Sequence, residues 1–483
     1  MFDRKSFTQK LDAVNEYEQQ EIPHNKLKGW RSFIGTYAGE HTAGTEFVIG
    51  PLFVAHGASA IDLVLGLLVG NILAVLSWAF FTARISVKKR VTLYYQLEKI
   101  GGSNFSLVYN LVNAGLFCFL AGSMIAVSAT AVGIPFDMVM PSLNDVYPNS
   151  IGWIIAVFFI GLITTVVAMF GFEQVSRFAN IASPWMIMVF IASAIAVLPE
   201  LGINSLSDFW PVAESTIWTG VPLDGQSKFT FWHIMFFAWF CNMAMHIGMG
   251  DMSLLRYAKK WQYGFSTAGG VFLGHYIAWI ASGILYSLFL LETNNSTEFA
   301  PGPVAFRAAG IAGALCVIIA GWTTANPTLY RAGLAIQSIN PKWKTWKVTL
   351  FVGLVTTIAA CFPGLVMQLL EFVALYGLLL MPVGAIIFMD VVVLPKVGLQ
   401  DNYAERTNSK FNWAVGITWG LTLAFCLLLN LMFGIDIFFL GLPGWFVAVV
   451  VYVVTSKIVQ KKHISTVVSN YPDKNKKVEV TLP

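Results

Sequence analysis

Long apolar runs, each broken by a short polar stretch, fill the chain from about residue 30 to residue 456. A run of roughly 20 apolar residues is long enough to cross a hydrocarbon core of about 30 Å as a helix. The pattern predicts twelve such helices, at about 30–57, 60–83, 105–135, 151–171, 181–199, 230–252, 264–291, 303–338, 347–364, 366–393, 412–433 and 435–456. No run of alternating ten-residue strands supports a membrane β-barrel. The expected fold class is therefore an all-α polytopic membrane protein.

Composition agrees with this reading. Only 12% of the 483 residues are charged, against about a quarter in an ordinary soluble domain. The net charge of +4 matters less than where the cations sit. Arg4, Lys5, Lys10, Lys26 and Lys28 precede the first run. Alternate loops carry Arg84, Lys88, Lys89 and Arg90; Arg177; Arg256, Lys259 and Lys260; Lys342, Lys344 and Lys347; and Lys396, Arg406 and Lys410. The tail adds Lys457, Lys461, Lys462 and Lys474, while the opposite loops hold only Lys228 and Arg307. Cations collect on the cytoplasmic side, so both termini are expected there, in the inner (plasma) membrane. The basic tail reads as a topology determinant, not a nucleic-acid site. No signal peptide is evident in residues 1–29. All five cysteines fall within apolar runs and read as free thiols. Trp30, Trp153, Trp210 and Trp261 stand near span ends as expected interfacial anchors.

Three segments break the rules of a lipid-embedded helix, where backbone groups need internal partners and charges are costly. The first is YAGEHTAGTEFVIG, from Tyr37 to Gly50. Its glycines and threonines disfavour a continuous helix. An unwound turn here would free carbonyls for a cation and aim helix ends at a substrate. Close helix packing through Gly35, Gly39 and Ala43 explains the small residues, but not Glu40, His41 and Glu46. The second is AGWTTANPTLYRAG, from Ala320 to Gly333. The hydroxyls of Thr323 and Thr324, one turn after Ala320, suit a hard monovalent cation, and Asn326–Pro327 is expected to open the helix. The alternative is hydroxyls bonded to carbonyls four residues back. The third is the sixth run, where Phe236, Trp239, Phe240 and Asn242 offer rings to stack on a planar ligand and an amide to read its edge. Such an aromatic stripe also serves plain packing. At the end of that run, Asp251 and Arg256 are expected to form a structural ion pair. His56, His233 and His275 receive no role.

Taken together, these landmarks resemble the nucleobase–cation symporters that include cytosine permease and the hydantoin transporter. GWTTANPTLYRAGLA in helix 8 carries most of the resemblance, with GPLF at Gly50–Phe53, GLLVGNILAVL at Gly66–Leu76 and GDMSLLRYAKK in the same order. The resemblance implies a LeuT-type inverted repeat. Helices 1–5 (residues 30–200) would be related to helices 6–10 (230–393) across a loop at 201–229, with helices 1 and 6 broken. Accessory helices would follow at 412–456 after a loop at 394–411, between cytoplasmic tails at 1–29 and 457–483. It further implies Na+ held at Ala38, Gly39, His41 and Thr42, through carbonyls, and at Ala320, Thr323 and Thr324. Substrate would lie among helices 1, 3, 6 and 8, touching Glu40, Phe117, Phe119, Phe236, Trp239, Phe240, Asn242 and Asn326.

Two positions depart from the family pattern. Helix 3 has Phe117 and Phe119 but no glutamine, and Glu40 has no counterpart. Glu40 is then expected to accept hydrogen bonds from a ligand, to carry a proton, or to pair with His41, His246 or Arg331. The expected function is import of a small planar nitrogen heterocycle by Na+ symport, with H+ as the alternative coupling ion, no cofactor and no enzymatic step. The alternative is an amine or amino-acid transporter of the same fold.

Overall fold

A computed structural model describes residues 9–12, 14–136, 138, 141, 145–293, 300–340, 342–364 and 369–470. Arg4, Lys5 and Lys474 of the expected basic tails lie outside the described residues. Among the described residues, nine helices are long and apolar enough to cross a membrane, and three shorter apolar helices accompany them. The shorter ones, Glu46–Ala55, Phe231–Phe240 and Thr345–Ala360, fall in the first, sixth and ninth expected spans.

In chain order, α1 spans Arg31–His41 and α2 spans Glu46–Ala55, the two halves of the first crossing. The second crossing is α3, Ala60–Lys89, which includes a π-helical turn at Trp78–Ala83. A short amphipathic α4, Leu93–Gly101, then leads into α5, Ser103–Val132. Next come α6, Ile151–Met169; α7, Gly171–Val197; and the brief α8, Leu206–Val212. The sixth crossing is α9, Phe231–Phe240, then turns, then a single helical turn α10, Met252–Leu255. It is followed by α11, Trp261–Glu292. The remainder is α12, Pro301–Gln337; α13, Thr345–Ala360; α14, Leu369–Phe388; the short α15, Tyr403–Thr407; α16, Trp413–Phe433; and α17, Ile437–Asn470.

Several boundaries differ from the sequence expectation for physical reasons. Helix α7 begins ten residues earlier than the apolar run, because its first turns carry the polar Glu173, Gln174 and Arg177. Helix α17 likewise continues through its lysines past residue 456. In α12 the chain leaves helical geometry at Ala309 and Gly310 (φ +57°), whereas the expected opening at Asn326–Pro327 stays helical. Trp153 is fully buried and donates its indole N–H to the Cys361 carbonyl at 2.9 Å, so it packs the interior and anchors no interface.

The surface fits a lipid environment by its sidedness. On α3, Ile61, Leu65, Leu68, Ile72 and Leu76 recur at helical spacing and are all exposed, while Leu63, Leu67 and Asn71 are buried. Such a stripe in water would be a large apolar patch. The long α5 and α12 pack together at the centre, α1 lies against α7, and α2 lies against α11. α16 is mostly exposed and pairs with α17, as a peripheral pair would.

Candidate functional site

The first crossing breaks at Thr42–Thr45, between α1 and α2. Gly44 is required there, because a Cβ would sit 2.8 Å from the Val127 side chain and 3.6 Å from the Gly321 backbone. The Thr42 amide and hydroxyl both donate to the Ala38 carbonyl, at 3.0 and 2.7 Å, and close the last turn of α1. Among the described residues, no backbone amide donates to the carbonyls of Gly39, Glu40, His41 or Thr42. Helix α12 comes alongside, and the Thr324 hydroxyl donates to the Glu40 carbonyl at 2.9 Å. Thr323 and Thr324 also donate to the Ala320 carbonyl, at 2.9 and 3.3 Å. The two segments expected to share a cation are therefore in contact. Exposed carbonyls beside hydroxyls form the all-oxygen donor set that suits Na+. The His41 ring does not join them, since its Nδ1 lies 2.9 Å from the Tyr37 carbonyl and its Nε2 is buried without a partner among the described residues.

A largely enclosed cavity of about 50 Å³ lies next to this break. Glu40, Thr45 and Glu46 line it from the first crossing and Thr324 from α12. Phe237, Cys241, Asn242 and Met245 line it from the sixth crossing, with His275 from α11 and Tyr376 from α14. The Glu46 carboxylate accepts the Trp279 indole N–H and, at 3.2 Å, the Thr45 hydroxyl. His275 Nε2 is 3.8 Å from Glu46 and 3.4 Å from the Asn242 amide. Its position comes from a π-helical turn, Val271–Tyr276, within α11.

Glu40 turns from the cavity toward Arg331, which is fully buried. The guanidinium donates to both carboxylate oxygens, at 2.5 and 3.1 Å, and to Asp251 at 2.6 Å. Asp251 further accepts from the Trp78 indole at 2.6 Å and the Tyr37 hydroxyl at 3.0 Å. Bidentate carboxylate–guanidinium geometry is among the strongest polar pairings available to side chains. Of the roles open to Glu40, pairing with Arg331 is the observed one, and it leaves the carboxylate at the cavity edge.

Asp251 and Arg256 do not pair with each other. Arg256 is 3.7 Å from Glu16, and the Glu16 carboxylate accepts the Tyr257 and Tyr330 hydroxyls, each at 2.7 Å. The N-terminal segment is thus strapped over the ends of the helices. Burial pushes the Glu16 carboxyl above the ordinary glutamate range, opposed by Arg256 and the two tyrosine hydroxyls.

The expected aromatic site is placed differently. Phe236, Trp239 and Phe240 stack on one another away from the cavity, and Phe236 meets Phe439 of α17. Phe237, one residue over, lines the cavity instead, because a helix offers only one stripe to a given side. Phe117 is buried against Tyr376, with ring centroids 5.5 Å apart, and touches the site only through that ring. Leu120 reaches the cavity from α5, and Phe119 is not among its lining residues. Asn326 is buried, with neither amide atom hydrogen-bonded among the described residues, and does not line the cavity. Asn242 does.

No protein family model matches the chain. No curated protein matches it by sequence either. Solved structures do match. Mhp1, a nucleobase-cation-symport-1 family transporter, in a closed conformation with bromovinylhydantoin bound, superposes with a TM-score of 0.70 at 15% identity, covering 95% of this chain and 97% of that one. Mhp1 in its inward-facing conformation gives 0.67 at 13% identity, over 92% and 96% of the two chains. A Na+-coupled sialic acid symporter in a substrate-bound outward-open state gives 0.64 at 15% identity, over 94% of each. Likeness at this identity shows the fold: a polytopic helical bundle, as the apolar runs led us to expect, with the LeuT-like inverted-repeat topology that the family resemblance implied.

Proposed function

We propose that the chain is a secondary active transporter that imports a small planar nitrogen heterocycle by alternating access, coupled to Na+. One observation carries the reading. A largely enclosed cavity sits at the break of the first crossing, where Glu46 and Asn242 face the rings of Phe237 and Tyr376, and Thr324 bridges to the Glu40 carbonyl. A heterocycle has the faces to pack on such rings and the N–H groups to donate to the Glu46 carboxylate. Asn242 can both donate to and accept from a ring edge. The cavity is far smaller than the several hundred Å³ of an open ligand pocket, so a ligand enters only when the helices separate.

The cation would be held by the open carbonyls at Gly39, Glu40, His41 and Thr42, the Ala320 carbonyl and the hydroxyls of Thr323 and Thr324. Ion and substrate then favour the same closed arrangement, and each raises the other's affinity by an equal factor. The hydantoin bound in the Mhp1 structure is a planar nitrogen heterocycle and supports this class. The cation-rich loops support a plasma-membrane orientation with both termini inside. H+ remains the alternative coupling ion, with Glu46 able to carry it.

A second reading is favoured by charge. Glu40, Asp251 and Glu46 cluster about the two breaks, and the buried guanidinium that answers them is that of Arg331, paired with the first two. An amine or amino acid with an ammonium group would balance the excess. Uptake of radiolabelled cytosine, hypoxanthine, an amine and an amino acid into proteoliposomes, with and without an inward Na+ gradient, separates the two. We expect Na+-dependent accumulation of a heterocycle. Accumulation of the amine alone would replace the first reading with the second.

A further inference from the structure

At the end of the bundle that the N-terminal strap covers, a groove of about 790 Å³ opens between α5, α12 and α13. Leu107 and Leu111 of α5 and Val348 and Phe351 of α13 supply an apolar wall. Leu111 and Phe351 are half or more exposed, so the wall continues the bilayer-facing surface of the bundle. The mouth is different. Lys342, Lys344 and Lys347 all line it, in the short connection from α12 to α13 and the first turn of α13.

Among the described residues, one of these three ammonium groups forms an ion pair with a carboxylate. Lys344 Nζ lies 2.8 Å from Asp12, whose other oxygen accepts the Trp346 indole N–H at 2.8 Å. The hydrogen bonds from Lys344 and Trp346 hold the Asp12 carboxyl below the usual carboxylate range. Among the described residues, Lys342 and Lys347 have no ion pair. Asp12 belongs to the segment that Glu16 fastens to Arg256, four residues further on.

We propose that this groove is a binding site for one anionic phospholipid of the cytoplasmic leaflet. An acyl chain lies along the Leu111–Phe351 wall, and the phosphate sits among Lys342, Lys344 and Lys347. The chemistry selects this occupant. A soluble anion has no use for an apolar wall continuous with the bilayer, and a neutral lipid leaves the ammonium groups of Lys342 and Lys347 without an ion-pair partner among the described residues. Basic pockets between helices at this level of a membrane protein suit such headgroups. Phosphate and Asp12 compete for the same Lys344, so an occupied groove releases the outer fastening of the strap. Such a site is independent of the transported substrate.

The full chain, purified and transferred to phosphatidylcholine nanodiscs with graded phosphatidylglycerol, is the material for the test. Lipid retained on extraction is counted by native mass spectrometry. Each lysine near an anionic headgroup contributes about fivefold in affinity, so Lys342→Gln, Lys344→Gln and Lys347→Gln combined should weaken phosphatidylglycerol retention by about a hundredfold. Phosphatidylcholine retention should not change. Phe351→Ser should weaken phosphatidylglycerol with the lysines intact, and Asp12→Asn should strengthen it about fivefold by freeing Lys344. These side chains are exposed, and an unchanged melting temperature in each variant shows that the fold survives. Full retention by the triple variant overturns the site. Equal displacement by soluble glycerol phosphate overturns the lipid in favour of a simple anion, and an inert Asp12→Asn removes the competition with the strap.

Discussion

The two breaks in the bundle are built on opposite plans. The first crossing loses its helix for only Thr42–Thr45, and all four residues of that gap are polar or small. Its carbonyls at Gly39, His41 and Thr42 accept no backbone amide among the described residues, and that of Glu40 takes the Thr324 hydroxyl instead. The sixth crossing is irregular from residue 241 to residue 251, a far longer stretch. It uses much of its own hydrogen-bonding capacity in local turns: Met245 N–H to the Asn242 carbonyl at 2.8 Å, Gly248 to Met243 at 2.8 Å, Gly250 to Ala244 at 2.9 Å. The first break leaves four consecutive carbonyls, Gly39 to Thr42, without a backbone amide, while the second satisfies most of its carbonyls in local turns and leaves those of Cys241, Ile247 and Gly248 without one among the described residues. Backbone in a membrane must find partners. It can find them within the chain or in a ligand, and the ion proposed above would supply the second solution at the first break.

Arg331 ties the breaks together, since it holds Glu40 beside the first and Asp251 at the end of the second. Removing one partner of a buried charge cluster leaves the others uncompensated, at a cost of about 3–5 kcal/mol. Arg331→Met should therefore do more damage than any other single change at either break, read as a large drop in melting temperature in detergent. Adding Glu40→Gln and Asp251→Asn to it should restore much of the loss, because no buried charge is then stranded. If Arg331→Met alone melts like the parent protein, the two breaks are not joined in this way.

The breaks also differ in how far the sequence disclosed them. Glu40, His41 and the threonines stand out against an apolar chain, so the first gap is visible as a violation of lipid chemistry. The second also carries polar residues and glycines, Asn242, His246, Gly248, Gly250 and Asp251, but its aromatics drew the reading toward a stacking site, and the break itself was expected only from the family resemblance. The spans themselves were legible because apolar length is a strong signal. Facing partners were legible only in part, because they are distant in sequence: Arg331, 291 positions from Glu40, stood as one of three candidate partners for it, and its pairing with Asp251, 80 positions away, was not expected. The choice between Phe236 and Phe237 turns on helix rotation, which aromatic content does not encode. His275 had no local mark at all, as its placement depends on a π-helical turn. The buried strap at Glu16 was likewise hidden in a polar tail that resembles any solvated terminus.

Packing offers a test specific to the second break. Gly384 of α14 lies against it, and a Cβ there would come 2.7 Å from the Gly248 Cα. Backbone cannot yield as a flexible side chain can. Gly384→Ala should cost about 1–3 kcal/mol, the usual penalty of overpacking. It should also slow transport more than it alters Na+ dependence. An equal shift in Na+ requirement would mean that the second break shares in ion binding, and the contrast between the two would weaken.

The smallest expected stability effect belongs to the first break, and it is the most informative about function. Thr324→Ala removes one hydroxyl, whose net worth as a hydrogen bond is about 1 kcal/mol. The fold should tolerate that easily. If the hydroxyl also coordinates the ion, its loss should raise the Na+ concentration for half-maximal uptake about tenfold, a change of about 1.4 kcal/mol in binding. On the ion role proposed for Thr324, substrate preference should stay as it was. Thr324→Ser keeps the oxygen and should keep the Na+ response, which separates coordination from packing of the methyl group. A Thr324→Ala protein with an unaltered Na+ curve would leave the open carbonyls of the first break without the partner proposed for them, and the ion would have to be sought elsewhere.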